Sequence, residues 1–374
     1  MSGGGGDSEA TEHGMKSLVV GGAGFIGSRL TAKLLAEADH TIVVYDNFSS
    51  GTGRHLASVR NHPGLEVITA DVKDLPALTR AAEGADVIYH FASNPDISKA
   101  VRQPDVDFWE GTYLTHNVAE AARQGGVRQI VYASGSGVYG DAGELVVTEN
   151  YSPLRPISTY GASKLAGEAL LCSYGEMFDV RCSAFRFANV VGPRQTHGVG
   201  YDFIRKLRQN PRELAILGDG TQSKPYIHVD DVLRALEVAR NPSLPCFSVF
   251  NVGTTDFISV REIADLVCAK MKLEGVEYRF AGGTGDGRGM SPWCGCRPTR
   301  SENGAGHRNG TVTRPSERRS TRCWGKLPRC EHRLAKIAGS SQFHTCFWRD
   351  PPFASHSVEA VRICLPTIAI TEDS

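Results

Sequence analysis

The chain has 374 residues, with 41 Lys and Arg against 41 Asp and Glu, and 41% of it is hydrophobic. A formal charge of zero gives no electrostatic reason to expect nucleic acid or an anionic membrane as partner. No apolar run is long enough to span a bilayer, and the length suits one large or two ordinary domains.

Residues 1–14 are Gly-rich and acidic and lack a hydrophobic signal core, so they read as a disordered leader with folded sequence starting near Met15. Lys16 to Val20 is a short apolar strand that runs into Gly21-Gly22-Ala23-Gly24-Phe25-Ile26-Gly27. Ile26, Leu30 and Leu34 follow at helical spacing. Thr41 to Tyr45 is a second strand ending at Asp46, and Leu65 to Ala70 a third ending at Asp71. Asp86 to Phe91 and Arg128 to Ala133 are the fourth and fifth, with a helix at Thr112 to Arg123 between them. A helix carrying Tyr160 and Lys164 precedes a strand at Arg181 to Phe187. Strands that alternate with helices and are apolar throughout predict an α/β fold, a Rossmann-type doubly wound parallel sheet covered on both faces. This dinucleotide-binding domain spans 15–190. Beyond Gly192 the regularity loosens, with loops at Gly218-Asp219-Gly220 and Asn241-Pro242, so 191–289 reads as a smaller C-terminal substrate-binding lobe. Cys172, Cys182, Cys246 and Cys268 show no paired spacing and read as buried free thiols in a reducing cytoplasm.

Two motifs carry the chemistry. Gly21, Gly24 and Gly27, between a strand and a helix, allow close backbone approach to a pyrophosphate, and the N–H groups and dipole of the helix end attract it. Phe25 and Ile26 belong to the same loop. Asp46, at the end of the next strand and followed by Asn47, is placed to bind an adenosine ribose. Its charge would repel a 2′-phosphate, which favours NAD over NADP. Asp71 and Val72 are expected at the adenine edge. Tyr160 and Lys164 lie four apart and share a helix face, which puts the ammonium near the hydroxyl, where it would favour the phenolate. His228, alone in an apolar strand, reads as structural.

Together these residues resemble the extended short-chain dehydrogenase family, specifically its NAD-dependent nucleotide-sugar epimerases. The resemblance runs from Met15 to Arg288. It includes His90-Phe91-Ala92-Ser93, Val138-Tyr139-Gly140, Arg186-Phe187-Ala188-Asn189, Gly192-Pro193-Arg194-Gln195 and Tyr226-Ile227-His228-Val229-Asp230-Asp231. It implies NAD as cofactor, with Phe91 and Ala92 beside it, and a UDP-sugar as substrate. Tyr160 would take the proton from the sugar 4-hydroxyl and the C4 hydride would pass to NAD. The 4-keto sugar would then turn over and recover the hydride on its other face. Lys164 would also hold the nicotinamide ribose. Asn189, Lys224 and Arg288 would serve the substrate diphosphate, with Lys224 standing where the family usually has arginine. The resemblance also implies a homodimer through the helices near Thr112 to Arg123 and Tyr160 to Tyr174.

The chain departs from the family at Gly135, where Thr or Ser normally relays the sugar proton; Ser134 or Ser136 is expected to replace it. No acid occupies the run from Ser134 to Tyr139, where related 4,6-dehydratases and UDP-glucuronate decarboxylases carry theirs. Epimerisation is therefore favoured over the decarboxylase, dehydratase and dehydrogenase alternatives. A non-catalytic dinucleotide sensor would not need the Tyr160–Lys164 pair. Room and donors around Gly135 tilt the expected sugar toward UDP-glucuronate/UDP-galacturonate over UDP-glucose/UDP-galactose.

After Arg288 the character changes. Residues 290–374 hold six of the ten cysteines, three of the four tryptophans and eleven arginines. Cys294, Cys296, Cys323, Cys330 and His332 match no compact zinc module, so no metal is expected. Codons for Met290-Ser291-Pro292-Trp293-Cys294-Gly295-Cys296-Arg297, read one base earlier, can spell Asp-Val-Pro-Val-Val-Arg-Leu-Pro. The family carries Gly-Asp-Val-Pro and a hydrophobic run here. The recorded tail is thus expected to be a frame-shifted, poorly ordered translation. Resequencing the DNA around codon 289 should find an inserted or missing base; a read that confirms the recorded frame overturns the idea.

Overall fold

In the computed structural model, which describes residues 14–142 and 145–282, the six strands expected from the sequence form one sheet with a seventh that was not expected. They are β1 (Lys16–Val20), β2 (Thr41–Asp46), β3 (Leu65–Thr69), β4 (Val87–His90), β5 (Gln129–Gly135), β6 (Arg181–Phe187) and, after four short strands, β11 (Phe247–Val252). Their spatial order is β11-β6-β5-β4-β1-β2-β3, and every neighbouring pair is parallel. The Arg288 assignment, the leader (residue 14 apart) and the 290–374 tail lie outside the described residues.

Because side chains alternate along a strand, a continuous apolar run must find cover on both sides. Leu18, Val20, Val43, Ile88 and Ile130 enter one core, and Val19, Ile42, Val44, Val87 and Val131 enter the other. The first core is closed by α2 (Leu75–Ala82), α3 (Tyr113–Gly125) and α4 (Thr159–Phe178), through Leu78, Val118 and Leu171. The second is closed by α1 (Phe25–Leu35) and by α6 (Val229–Leu236), through Leu30, Leu34, Val232 and Leu236. Each such fully buried aliphatic side chain contributes roughly 1.5–3 kcal/mol.

Local signals set the helix ends. Ser158 accepts from the Gly161 N–H and caps α4. Asp74 caps α2 in the same way, and α3 stops at Gly126, whose φ of +75° suits glycine. A π-helical turn, Phe108–Thr112, leads into α3. His228 accepts from the Asp230 N–H and caps α6, a structural role as expected.

Between β6 and β11 the chain forms β7 (Asn189–Val191), α5 (Val199–Gln209), β8 (Glu213–Ile216), β9 (Ser223–Lys224) and β10 (Tyr226–His228). After β11 come β12 (Ile258–Ser259), α7 (Val260–Lys270) and β13 (Glu277–Phe280). A third core joins Phe203, Leu207, Leu214, Ile216, Ala264 and Val267. The second half does not stay apart from the large sheet, since β11 pairs with β6 along its whole length. All described residues fall in one compact unit. Among them, no helix is long and apolar enough to cross a membrane. Cys182 and Cys268 are buried free thiols, whereas Cys172 and Cys246 are only half-buried, which corrects the expectation for two of the four.

Candidate active site

The strand order reverses at β1, so the crossovers after β1 and β4 leave in opposite directions and open a crevice beyond the strand ends. A cleft of about 760 Å³ lies there. It brings together all the residues assigned from the sequence except Arg288, which lies outside the described residues.

One part of the cleft is a backbone cradle. Gly21 has φ +81°, and a Cβ on it would stand 2.7 Å from the Ala92 nitrogen. A Cβ on Gly27 would meet the Gly21 carbonyl at 2.3 Å. Gly24 caps α1, and a Cβ there would come near only one atom of its surroundings, the Gly21 oxygen at 3.2 Å. Phe25, Ile26 and Gly27 start the helix, where N–H groups lack intrahelical partners. Asp46 is held by two backbone donors, Ala23 N–H at 2.9 Å and Phe48 N–H at 2.8 Å, with its carboxylate against the cleft. Asn47 donates to Asp71, and Asp71 also accepts from the Lys73 N–H. Val72, Phe91 and Ala92 complete this wall. A glycine cradle on a helix end, with a fixed carboxylate beyond it, fits a dinucleotide with a free ribose 2′-hydroxyl.

The reacting part sits on α4. Tyr160 is its second residue and Lys164 lies one turn later, 3% exposed. The ammonium of Lys164 donates to the Ala133 carbonyl at 2.8 Å and lies 5.5 Å from the centre of the Tyr160 ring. Burial pulls Lys164 down to about 8, opposed by the carboxylates of Asp107 and Glu168. Burial, with Asp107, pushes Tyr160 up to about 12, against a hydrogen bond with Ser93. Burial and Asp107 therefore dominate the phenol in this geometry, while one donor of the Lys164 ammonium goes to a backbone carbonyl.

Of the two candidate serines, Ser134 is corrected. It is 3% exposed and its hydroxyl donates to Glu168 at 2.5 Å, so it is committed to the interior. Ser136 is half-buried at the cleft. Gly135 leaves space, since a Cβ there would meet only the Phe187 carbonyl, at 3.9 Å. Asn189 lines the cleft while donating to the Pro225 carbonyl, and Lys224 lines it from β9.

Three participants were missed. Asp107, 1% exposed, accepts from Thr159 and Asn94 and acts on both Tyr160 and Lys164. No local pattern marks it, because it lies 53 residues before Tyr160. Ser93 was quoted only as part of a motif. Glu168 was legible, since it stands four residues after Lys164 on the same helix face.

Comparison with known proteins adds to the geometry. Residues 17–253 match the NAD dependent epimerase/dehydratase family. The UDP-glucose 4-epimerase of Mycolicibacterium smegmatis is 38% identical over 255 residues, covering 67% of this chain and 80% of that protein. A crystal structure of a UDP-galactose 4-epimerase superposes with TM-score 0.64 at 42% identity, covering 71% and 86%. The UDP-glucuronic acid 4-epimerase of Bacillus cereus, solved with UDP-glucuronic acid and NAD, superposes with TM-score 0.66 at 27% identity, covering 72% and 87%.

The cradle predicts different outcomes for two of its glycines. Gly24→Ala should weaken NAD binding at least tenfold while the melting temperature stays near that of the parent. Gly27→Ala should lower both, because its methyl meets backbone. Calorimetric titration with NAD and thermal unfolding check this; unchanged NAD affinity in Gly24→Ala would move the pyrophosphate elsewhere.

Proposed function

The chain belongs to the NAD-dependent epimerase/dehydratase family as an extended short-chain nucleotide-sugar epimerase with NAD as cofactor, and on that premise we propose that it interconverts UDP-glucose and UDP-galactose. The observation that carries this reading is one cleft lined by the glycine cradle, Tyr160, Lys164 and Ser136, with no carboxylate from Ser134 to Tyr139. Decarboxylation and dehydration each need a further acid or base at the sugar, and that strand end supplies none.

In this reading the glycine loop and Asp46 hold the dinucleotide, and Lys164 holds its nicotinamide ribose. Asn189 and Lys224 hold the substrate diphosphate; Lys224 meets it as a point charge without the fork of an arginine. NAD⁺, when bound in this cradle, would supply a reversible acceptor for the C4 hydride and a positive ring that favours the Tyr160 phenolate. Ser136 bridges the sugar 4-hydroxyl to Tyr160, and Tyr160 takes the proton and later gives it back. Lys164 keeps a positive charge beside the phenol throughout.

One observation supports the hexose: the relative at 38% identity is named UDP-glucose 4-epimerase. The open space at Gly135 supports a second reading, UDP-glucuronate and UDP-galacturonate.

Proton NMR of the enzyme with NAD and either UDP-glucose or UDP-glucuronate decides between them. A new galacto-configured anomeric signal is expected in the UDP-glucose tube. Inversion only in the uronate tube selects the second reading, and a pentose signal means decarboxylase. Ser136→Ala should lower kcat by roughly 10²-fold, whereas Ser134→Ala should show mainly as lost stability.

We also propose a homodimer through α3 and α4. Phe108, Trp109, Met177 and Phe178, on or beside these helices, expose large apolar surface (Met177 is 69% exposed). Sedimentation at micromolar concentration should give twice the chain mass, and Trp109→Glu should give the monomer; a monomeric parent rejects the pairing.

A further inference from the structure

Glu168 is 4% exposed and makes a two-pronged ion pair with Arg186, at 3.0 Å and 2.7 Å. It also accepts the Ser134 hydroxyl. Ser134 adjoins Ala133, whose carbonyl receives the Lys164 ammonium. Arg186 in turn donates to the Tyr139 hydroxyl at 2.9 Å, and Tyr139 donates to Asn251 on β11. Asn251 closes the network by donating its backbone N–H to Glu149.

We propose that Glu168 is a positioning residue for the reaction. It fixes the strand end that receives Lys164 and lends Lys164 a negative charge from one turn away, with Arg186 as its counter-ion. The proposal rests on the epimerase reading for its kinetic arm only. Five groups face Lys164: Asp107 before the π-helical turn, Glu168 and Tyr160 on α4, Tyr132 on β5 with its ring centre at 5.2 Å, and His90 on β4. His90 is held neutral, because burial and the Lys164 charge push it down to about 3. Asp107 and Glu168 are therefore the two carboxylates that favour the ammonium. Arg186 directs its guanidinium at Glu168 and Tyr139, so replacing it together with Glu168 separates the two functions of Glu168.

The test compares Glu168→Gln, Glu168→Asp and the double change Glu168→Gln with Arg186→Met. Each protein is labelled with ζ-¹⁵N lysine and titrated by NMR, with Lys164→Met identifying the signal. Thermal unfolding and the pH profile of kcat are measured beside it. In Glu168→Gln the Lys164 titration should fall by about one pH unit, roughly a tenfold change in its ionisation constant. The alkaline limb of kcat should move with it, and the unfolding temperature should drop because Arg186 is left unpaired. Glu168→Asp should restore part of the titration. The double change should restore stability and leave the titration low. If the double change returns both to the parental values, or if Glu168→Gln moves stability alone, Glu168 is only structural and the proposal fails. A shifted titration in a protein that epimerises no sugar would keep the proposal about Lys164 and reject the epimerase reading.

Discussion

The site depends on keeping an ammonium charged inside the protein. Lys164 has lost nearly all contact with water, and its fall from the ordinary lysine range to about 8 corresponds to roughly 3 kcal/mol against the charge. A hydrogen bond to a charged donor contributes about 1.5–3 kcal/mol, so the Ala133 carbonyl offsets only part of the several kcal/mol that burial costs. Two buried carboxylates offset a further part and leave Lys164 mostly protonated at neutral pH. One comes from its own helix, and the other from the segment before α3. Moving either would shift the balance between the two forms of Lys164 toward the neutral amine.

That requirement explains why so much buried polar structure surrounds the end of β5. Glu168 cannot sit in the core without a counter-ion, and Arg186 on β6 is that counter-ion. Arg186 has donors left over, which Tyr139 uses. Tyr139 must then satisfy its own hydroxyl, which reaches Asn251. Each group accounts for the previous one, in the way buried polar groups generally must. The Val138-Tyr139-Gly140 and Arg186-Phe187-Ala188-Asn189 motifs thus belong to one scaffold, although they are 47 residues apart.

Most of the large sheet was legible because strands such as Lys16–Val20 and Thr41–Asp46 carry largely apolar runs that alternate with helices, a pattern a doubly covered parallel sheet explains. The strand β11, with Ser248 and Asn251 in it, was not. The glycine cradle was legible because three glycines follow a strand and precede a helix. Helix spacing correctly put Tyr160 and Lys164 on one face. It could not tell where the ammonium would point, because that is decided by the Ala133 carbonyl on another element. Ser134 misled for a similar reason: a serine beside the expected relay position resembles a relay until its inward direction on the strand is known. Asp107 left no trace, since a carboxylate becomes important only when folding buries it beside a phenol.

The return of β11 to the large sheet bears on how the polypeptide acquires its structure during synthesis. Five strands and the helix bearing Tyr160 emerge from the ribosome before β6, yet β6 stays an unpaired edge until residues 247–252 arrive. Parallel pairing across such a separation is slow, and an open edge is prone to wrong partners while it waits. Asn251 arrives on that same strand and supplies the acceptor for Tyr139. Nascent chains that stop short of β11 would carry the nucleotide cradle and the Tyr160 helix. They would lack the strand that shields their edge, so the interval between synthesis of β6 and of β11 is when that edge is open to wrong partners.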